Sequence, residues 1–305
     1  MRISGLLGRA VPVMVFAATL FGWPSCFAED RPASEPPAAR LPADPPDPAI
    51  ALLDDGFRDL YTLQFLGARS KFQAYQQSQP ADPLGKSAEA ASYLYEEFNA
   101  KGIFTSAFFL DDSKFLNGVS GSPAENRNRE FLAINQQARE MAKSRLAQDP
   151  NDVRALFAIT ISDGMESDYD AFIEKKQIAS LGFMRQAEAE ANHLLAIDPS
   201  AQDAYVALGA SNYVIGCLPG YKRVFLRIGG IHGDRMHGMQ LMQIAADHGR
   251  YLQPFAKILL ALACEREHQM DRARALLTDL TREFPENPLF AQELAVAQRD
   301  PANPR

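Results

Sequence analysis

Three short stretches of this 305-residue chain bring together side chains that could do chemistry. His232-Gly233-Asp234-Arg235-Met236-His237, with His248 downstream, offers neutral imidazole and carboxylate, both good ligands for a transition metal. A site would need three or four such groups in fixed geometry. These straddle a glycine-rich turn and a helix start, where Asp234 reads more simply as the N-cap of a helix over Arg235 to His248. A metal-dependent hydrolase around His232 and His237 is therefore a disfavoured reading. Gly229-Gly230-Ile231-His232-Gly233 resembles a phosphate loop only loosely, since the Gly-Lys-Ser/Thr that cradles phosphate and magnesium is missing and no strand precedes it. Cys217 with a distant histidine lacks any sign of a lowered pKa or an orienting third group. No G-x-S-x-G, H-E-x-x-H or spaced carboxylate pair stands out. The expectation is a chain with no catalytic residues, no bound metal and no cofactor.

A fourth stretch is chemical in a different sense. Between Tyr221 and Ile228, basic Lys222, Arg223 and Arg227 alternate with Val224, Phe225 and Leu226. Two readings stay open: contact with anionic lipid or an acidic partner, or a helix packed among others with its arginines paired to nearby acids.

The elements that would position these groups are helices. Tyr251 to Phe290 holds two apolar stripes at helical spacing. Phe255, Ile258, Leu259, Leu262 and Ala263 form the first, and Ala273, Leu276, Leu277 and Leu280 the second. Small Ala261 and Ala273 suit two backbones in close approach, and Asn287-Pro288 caps and opens a further helix. A phase repeats along the chain. Pro80, Pro150, Pro199 and Pro285 each follow an alanine twelve residues earlier (Ala68, Ala138, Ala187, Ala273). Four residues after each alanine stands Phe72, Ala142, Ala191 or Leu277. Tyr205, Leu208 and Gly209 add a large–Leu–Gly series, and Gly56 pairs with Ala68 as small residues near the N-terminus.

This pattern resembles the tetratricopeptide repeat (TPR), with its A-x3-F…P signature and period of about 34 residues. The prolines are 70, 49 and 86 residues apart, so only the first and last hairpins look undisturbed. The fold class expected is all-α, a TPR-like α-solenoid of stacked antiparallel helical hairpins over residues 49–300. The resemblance implies a protein or peptide partner, held in a concave groove lined by first helices. Its usual groove positions fall on Arg154, Phe157 and Ile161, then Asp203, Val206 and Tyr213.

Helices are expected over Ala49 to Gln64, Leu66 to Gln77, Ser87 to Lys101, Arg129 to Gln148 and Asp152 to Ser162. Ser167 to Ile197 reads as one long helix or two broken near Gly182, and Asp203 to Ile215 as the next. Tyr93, Tyr95 and Phe98 read as core. Two zones, 102–128 and 216–238, break the pattern. The first carries Phe104, Phe108, Phe109 and Phe115, suited to a short extra helix under the array. The alternative function is a small-ligand or lipid-binding helical module built on these two zones.

Residues 1–28 have the charged start, apolar core and small-residue end of a secretory signal peptide, from Arg2 and Arg9 through Cys26-Phe27-Ala28. Lipidation of Cys26 is the competing reading, against which Trp23-Pro24-Ser25 makes a poor lipobox, and retention of the segment as an anchor is the third. Residues 29–48 carry seven prolines and form an extended, disordered linker; 301–305 form a tail. The full chain has a formal charge of −7, and losing Arg2 and Arg9 leaves 29 basic against 38 acidic residues, −9. That acidic excess argues against nucleic acid as a partner. The expected setting is the periplasm or outer envelope, as a diffusible scaffold or one anchored through Cys26. In an oxidising compartment Cys217 and Cys264 either pair or serve as small apolar residues.

Overall fold

The computed structural model describes residues 47–228 and 230–299, which belong to one compact unit within Pro46–Arg305. The leader, Cys26, the linker up to residue 46, Gly229 and the tail 301–305 lie outside the described residues. Asp47 and Pro48, at the expected end of the linker, instead open the first helix. The Asp47 carboxylate accepts the Ala49 N–H at 2.9 Å, and Pro48 sits in the first turn, where a missing N–H costs nothing.

No strand occurs among the described residues, and successive helices pack as antiparallel hairpins in one continuous stack. Helix α1 (Pro48–Tyr61) lies on α2 (Phe65–Ser78). Helix α3 (Pro83–Lys101) is followed by two short helices, α4 (Ser106–Phe109) and α5 (Asp112–Asn117), before its partner α6 (Glu125–Leu146). Helix α7 (Val153–Tyr169) lies on α8 (Gln177–Ile197). Helix α9 (Tyr205–Cys217) is separated by α10 (Gly220–Ile228) from its partner α11 (Arg235–His248). Helix α12 (Gln253–Arg266) pairs with α13 (Met270–Glu283), and α14 (Pro288–Gln298) covers the last hairpin.

Asp82, Asp152, Asp234 and Asn287 cap α3, α7, α11 and α14, each side chain accepting a first-turn N–H at 2.8–3.0 Å. The Asp82–Pro83 start places α3 four residues ahead of the expected Ser87, and α7 runs on past Ser162 to Tyr169.

The alanine–proline phase marks second helices. Ala68, Ala138, Ala187 and Ala273 lie on α2, α6, α8 and α13 and are all buried, as are Phe72, Ala142, Ala191 and Leu277 one turn on. Their uneven spacing has two causes. Insertions α4–α5 and α10 split two hairpins, and the α9–α11 hairpin lacks both markers. In that hairpin Gly238 stands where the others have alanine, and Arg250, twelve residues on, where they have proline. The glycine is needed for contact: a Cβ at Gly238 would lie 2.6 Å from the Tyr213 backbone nitrogen and 2.7 Å from the Gly209 carbonyl. Here the two backbones touch.

The break in 167–197 is not at Gly182, which lies inside α8. It falls at a π turn over Asp170–Glu174, followed by Lys175 in the left-handed region (φ 59°). The insertion docks on this turn: Val119 donates its N–H to the Phe172 carbonyl at 2.9 Å, and the Phe172 ring meets Phe98 and Phe108 edge-on. Phe104, Phe108, Phe109 and Phe115 are all buried, packing as the short-helix reading expects.

The first hairpin meets the last. Tyr61 donates to the Tyr251 carbonyl at 2.9 Å, and Asn287 donates to the Tyr61 carbonyl at 2.8 Å. Phe57 stacks on Tyr251 with centroids 4.8 Å apart, and Tyr61 leans on Phe284. Ion pairs Arg250–Asp54 (3.1 Å) and Arg58–Glu286 (3.7 Å) rim the seam. The α4–α5 insertion adds a second seam. Arg266 donates to the Phe109 carbonyl and pairs with Asp112, while the Glu293 carboxylate accepts the Ser106 N–H at 2.9 Å.

Candidate functional site

Because the first hairpin meets the last, the concave side is partly enclosed. A cavity of about 130 Å³ runs along it, lined from α1, α3, the α4–α5 insertion, α7, α8, α9, α11 and α12. So small a volume spread over so many helices describes a narrow space. Its walls are aromatic and aliphatic: Phe57, Tyr95, Phe104, Phe157, Val206 and Phe255 are representative. Around it Tyr95, Phe104 and Phe255 form one aromatic cluster, with centroids 5.0–6.3 Å apart. A void of comparable size lined by apolar side chains stays dry and admits a benzene-sized molecule.

Five of the six groove candidates line this cavity: Phe157, Ile161, Asp203, Val206 and Tyr213. All but Ile161 are buried. Asp203 has a structural task, accepting the backbone N–H groups of Arg250, Tyr251 and Leu252 at 2.8–3.0 Å where the chain enters α12; burial, opposed by those bonds, raises its carboxyl. Tyr213 turns its hydroxyl toward Glu267. Arg154 stands apart. It pairs with Asp82 at 2.6 Å and donates to the Tyr75 hydroxyl, tying the start of α7 to the α3 cap.

One polar lining group was not anticipated. Asp168 projects from α7 into the cavity and has no hydrogen bond or ion pair among the described residues. It is half-buried on the cavity wall, and desolvation alone pushes its carboxyl up to about 7. Nothing in the sequence marks it: it is one of several acids in the run Glu166-Ser167-Asp168-Tyr169-Asp170, at the start of the helix expected from Ser167.

The basic segment forms α10, and no residue of it is buried. Tyr221, Val224, Phe225 and Ile228 make one stripe, each at least 60% exposed. Lys222, Arg223 and Arg227 have no ion pair among the described residues, so the expectation of a packed helix with acid-paired arginines is corrected. The physical cause lies just upstream. Leu218 is extended before Pro219, which turns the chain off the stack before α10 begins.

His232, His237 and His248 are exposed, and Asp234 is spent on the α11 cap. Among the described residues no group of three or more His, Cys, Asp or Glu side chains is placed to hold a metal ion. Cys217 and Cys264 are both free thiols. Burial raises Cys217 and pushes Cys264 up to about 11, away from nucleophilic thiolate. No helix among the described residues is long and apolar enough to cross a membrane.

No family model matches the chain, and no curated protein matches it. Among solved structures, a thermophilic TPR protein of Thermus thermophilus is similar, with a TM-score of 0.45 and 15% identity over 82% of this chain and 98% of that one.

Proposed function

We propose that this chain is an exported, non-catalytic binding module that takes a small apolar ligand into the cavity on its concave side. A TPR-like stack is in general a scaffold for interaction, and such folds typically carry no chemistry of their own. One observation turns the reading from an open peptide groove to a small ligand: the Tyr61–Tyr251 seam partly encloses the concave side, so the positions that would grip a peptide line a narrow space. Export rests on the character of residues 1–28, with Cys26 as the alternative lipid attachment site. The intact mass of chain recovered from a bacterial envelope separates these: a start at Glu29 in the soluble periplasm, or an acylated Cys26 in membranes.

The test of the cavity is native mass spectrometry of that material together with thermal melts against hexan-1-ol. A bound apolar mass, or a Tm that rises with hexan-1-ol and fails to rise in Ile161→Trp, supports the reading. Clean spectra and a flat melt with every apolar probe overturn it. Ligand at a hundredfold its Kd would stabilise the fold by about 2.7 kcal/mol.

A second reading, that α10 rests on an anionic membrane surface, is supported by its exposed apolar stripe flanked by three unpaired basic side chains in a net-acidic chain. A diffusible protein partner at the same helix is the competing outcome, separated from it by binding to protein-free vesicles.

A further inference from the structure

We infer that the cavity selects a primary amine carried on a short apolar body, with Asp168 as the group that receives the ammonium. This rests on the cavity being a ligand site.

Apart from Tyr95, whose hydroxyl lies against Tyr61, the other polar side chains on the cavity wall are already committed. Thr160 donates to the Leu156 carbonyl at 2.8 Å, and Ser167 to the Ser180 carbonyl at 3.0 Å. Ser211 donates to Glu188, Tyr213 to Glu267, and Asp203 holds three backbone N–H groups. Asp168 alone among them has neither donor nor counter-charge among the described residues.

An ionised carboxylate accepts hydrogen bonds and donates none, and an uncompensated one in apolar surroundings is costly to keep. A ligand ammonium supplies both what the carboxylate lacks in hydrogen bonds and what it lacks in charge. A ligand carboxylate would add repulsion, and a hydroxyl would supply one hydrogen bond without charge. The walls favour the same head group. Tyr95 is the titratable group near the Asp168 carboxyl from α3, and its phenol is held well above its usual range by burial, then by Tyr61 and Asp168. It stays neutral and presents an aromatic face, as do Phe104 and Phe255 beside it, and aromatic faces attract cations. The narrow remainder of the cavity suits a chain of about six carbons, by comparison with a void that holds benzene.

The experiment compares hexylamine, hexan-1-ol and hexanoate binding to the full mature chain by calorimetry at neutral pH, in wild type and Asp168→Asn. Wild type should take hexylamine at least about tenfold more tightly than hexan-1-ol, with hexanoate weakest; a tenfold ratio is about 1.4 kcal/mol. Asp168→Asn should keep its affinity for hexan-1-ol and lose the amine preference. Equal affinity for all three, or an amine preference that survives in Asp168→Asn, overturns the inference and leaves the cavity reading standing. Binding of none overturns both.

Discussion

The Tyr61 hydroxyl reaches the backbone carbonyl of Tyr251, 190 positions away in the chain, at 2.9 Å. Asn287 answers from α14 by donating to the carbonyl of Tyr61 itself. Two buried hydrogen bonds thus share one residue of α1 and join it to the turns that enter α12 and α14. Tyr61→Phe should cost about 1 kcal/mol, the net worth of one buried hydrogen bond with an acceptor left behind. Asn287→Ala should cost about 2 kcal/mol, since it also removes the α14 cap on Leu289. Urea denaturation of both single variants and the double variant checks this. Costs that simply add would show that the two bonds do not cooperate in closing the seam.

A second prediction concerns the α9–α11 hairpin. At Gly209 a Cβ would lie 2.6 Å from the Met242 side chain and 2.8 Å from the Met242 backbone nitrogen, and Gly238 is confined by backbone in the same way. Gly209→Ala and Gly238→Ala should each destabilise by roughly 1–3 kcal/mol through forced separation of α9 and α11. Gly182→Ala is the opposing case. It lies mid-helix in α8 with nothing within 4 Å, and should stabilise by up to about 1 kcal/mol. Thermal melts should move in opposite directions.

A third prediction follows from Glu265 on α12. Burial, then the charge of Glu293, pushes its carboxyl up to about 7 from 4.5, and its Oε1 is buried without a partner. The folded state therefore holds this proton more tightly than the unfolded chain. Its contribution is complete below about pH 4.5, is lost as the pH rises toward 7, and is absent above. Glu265→Gln should raise stability above pH 7 by up to about 3 kcal/mol and change little at pH 4. Denaturant midpoints measured across that range test it. An equal gain at both pH values would mean that the amide acts through packing and not through the proton.

The exposed helix supplies a fourth. The Lys222→Glu, Arg223→Glu, Arg227→Glu triple variant should leave stability within about 0.5 kcal/mol per site, because none of these side chains is buried. Co-sedimentation with phosphatidylserine-containing vesicles should weaken by about 3 kcal/mol for three basic residues, and wild-type binding should itself fade as salt is raised. Wild type that ignores such vesicles at low salt would remove the membrane reading of α10.

Local chemistry made the hairpins legible. Buried alanines on second helices, Asp and Asn caps, and prolines after helix ends are short-range signals, and four hairpins announced themselves through them. The fifth lacks both markers, since Gly238 and Arg250 replace them, and showed itself instead through Tyr205, Leu208 and Gly209 and the helix expected over Arg235 to His248. The break at 170–176 was misplaced for a different reason. Gly182 is the local helix breaker by propensity, but the π turn is held by Val119 docking from 53 residues upstream, which no local rule sees. The five candidates on the concave side were found as positions on first helices, whereas their enclosure depends on Tyr61 meeting Tyr251 and Asn287. Asp168 is the extreme case. Its environment is made entirely by distant helices.

An open array of hairpins can gain or lose members, because each unit answers only to its neighbours. Once Tyr61 of α1 is bonded to the turns that enter α12 and α14, membership is constrained: the seam is fitted to the number of hairpins present. Duplicating or deleting a unit, harmless in an extended solenoid, would here pull Tyr61 away from both its partners. The architecture has exchanged the capacity to lengthen for the capacity to enclose.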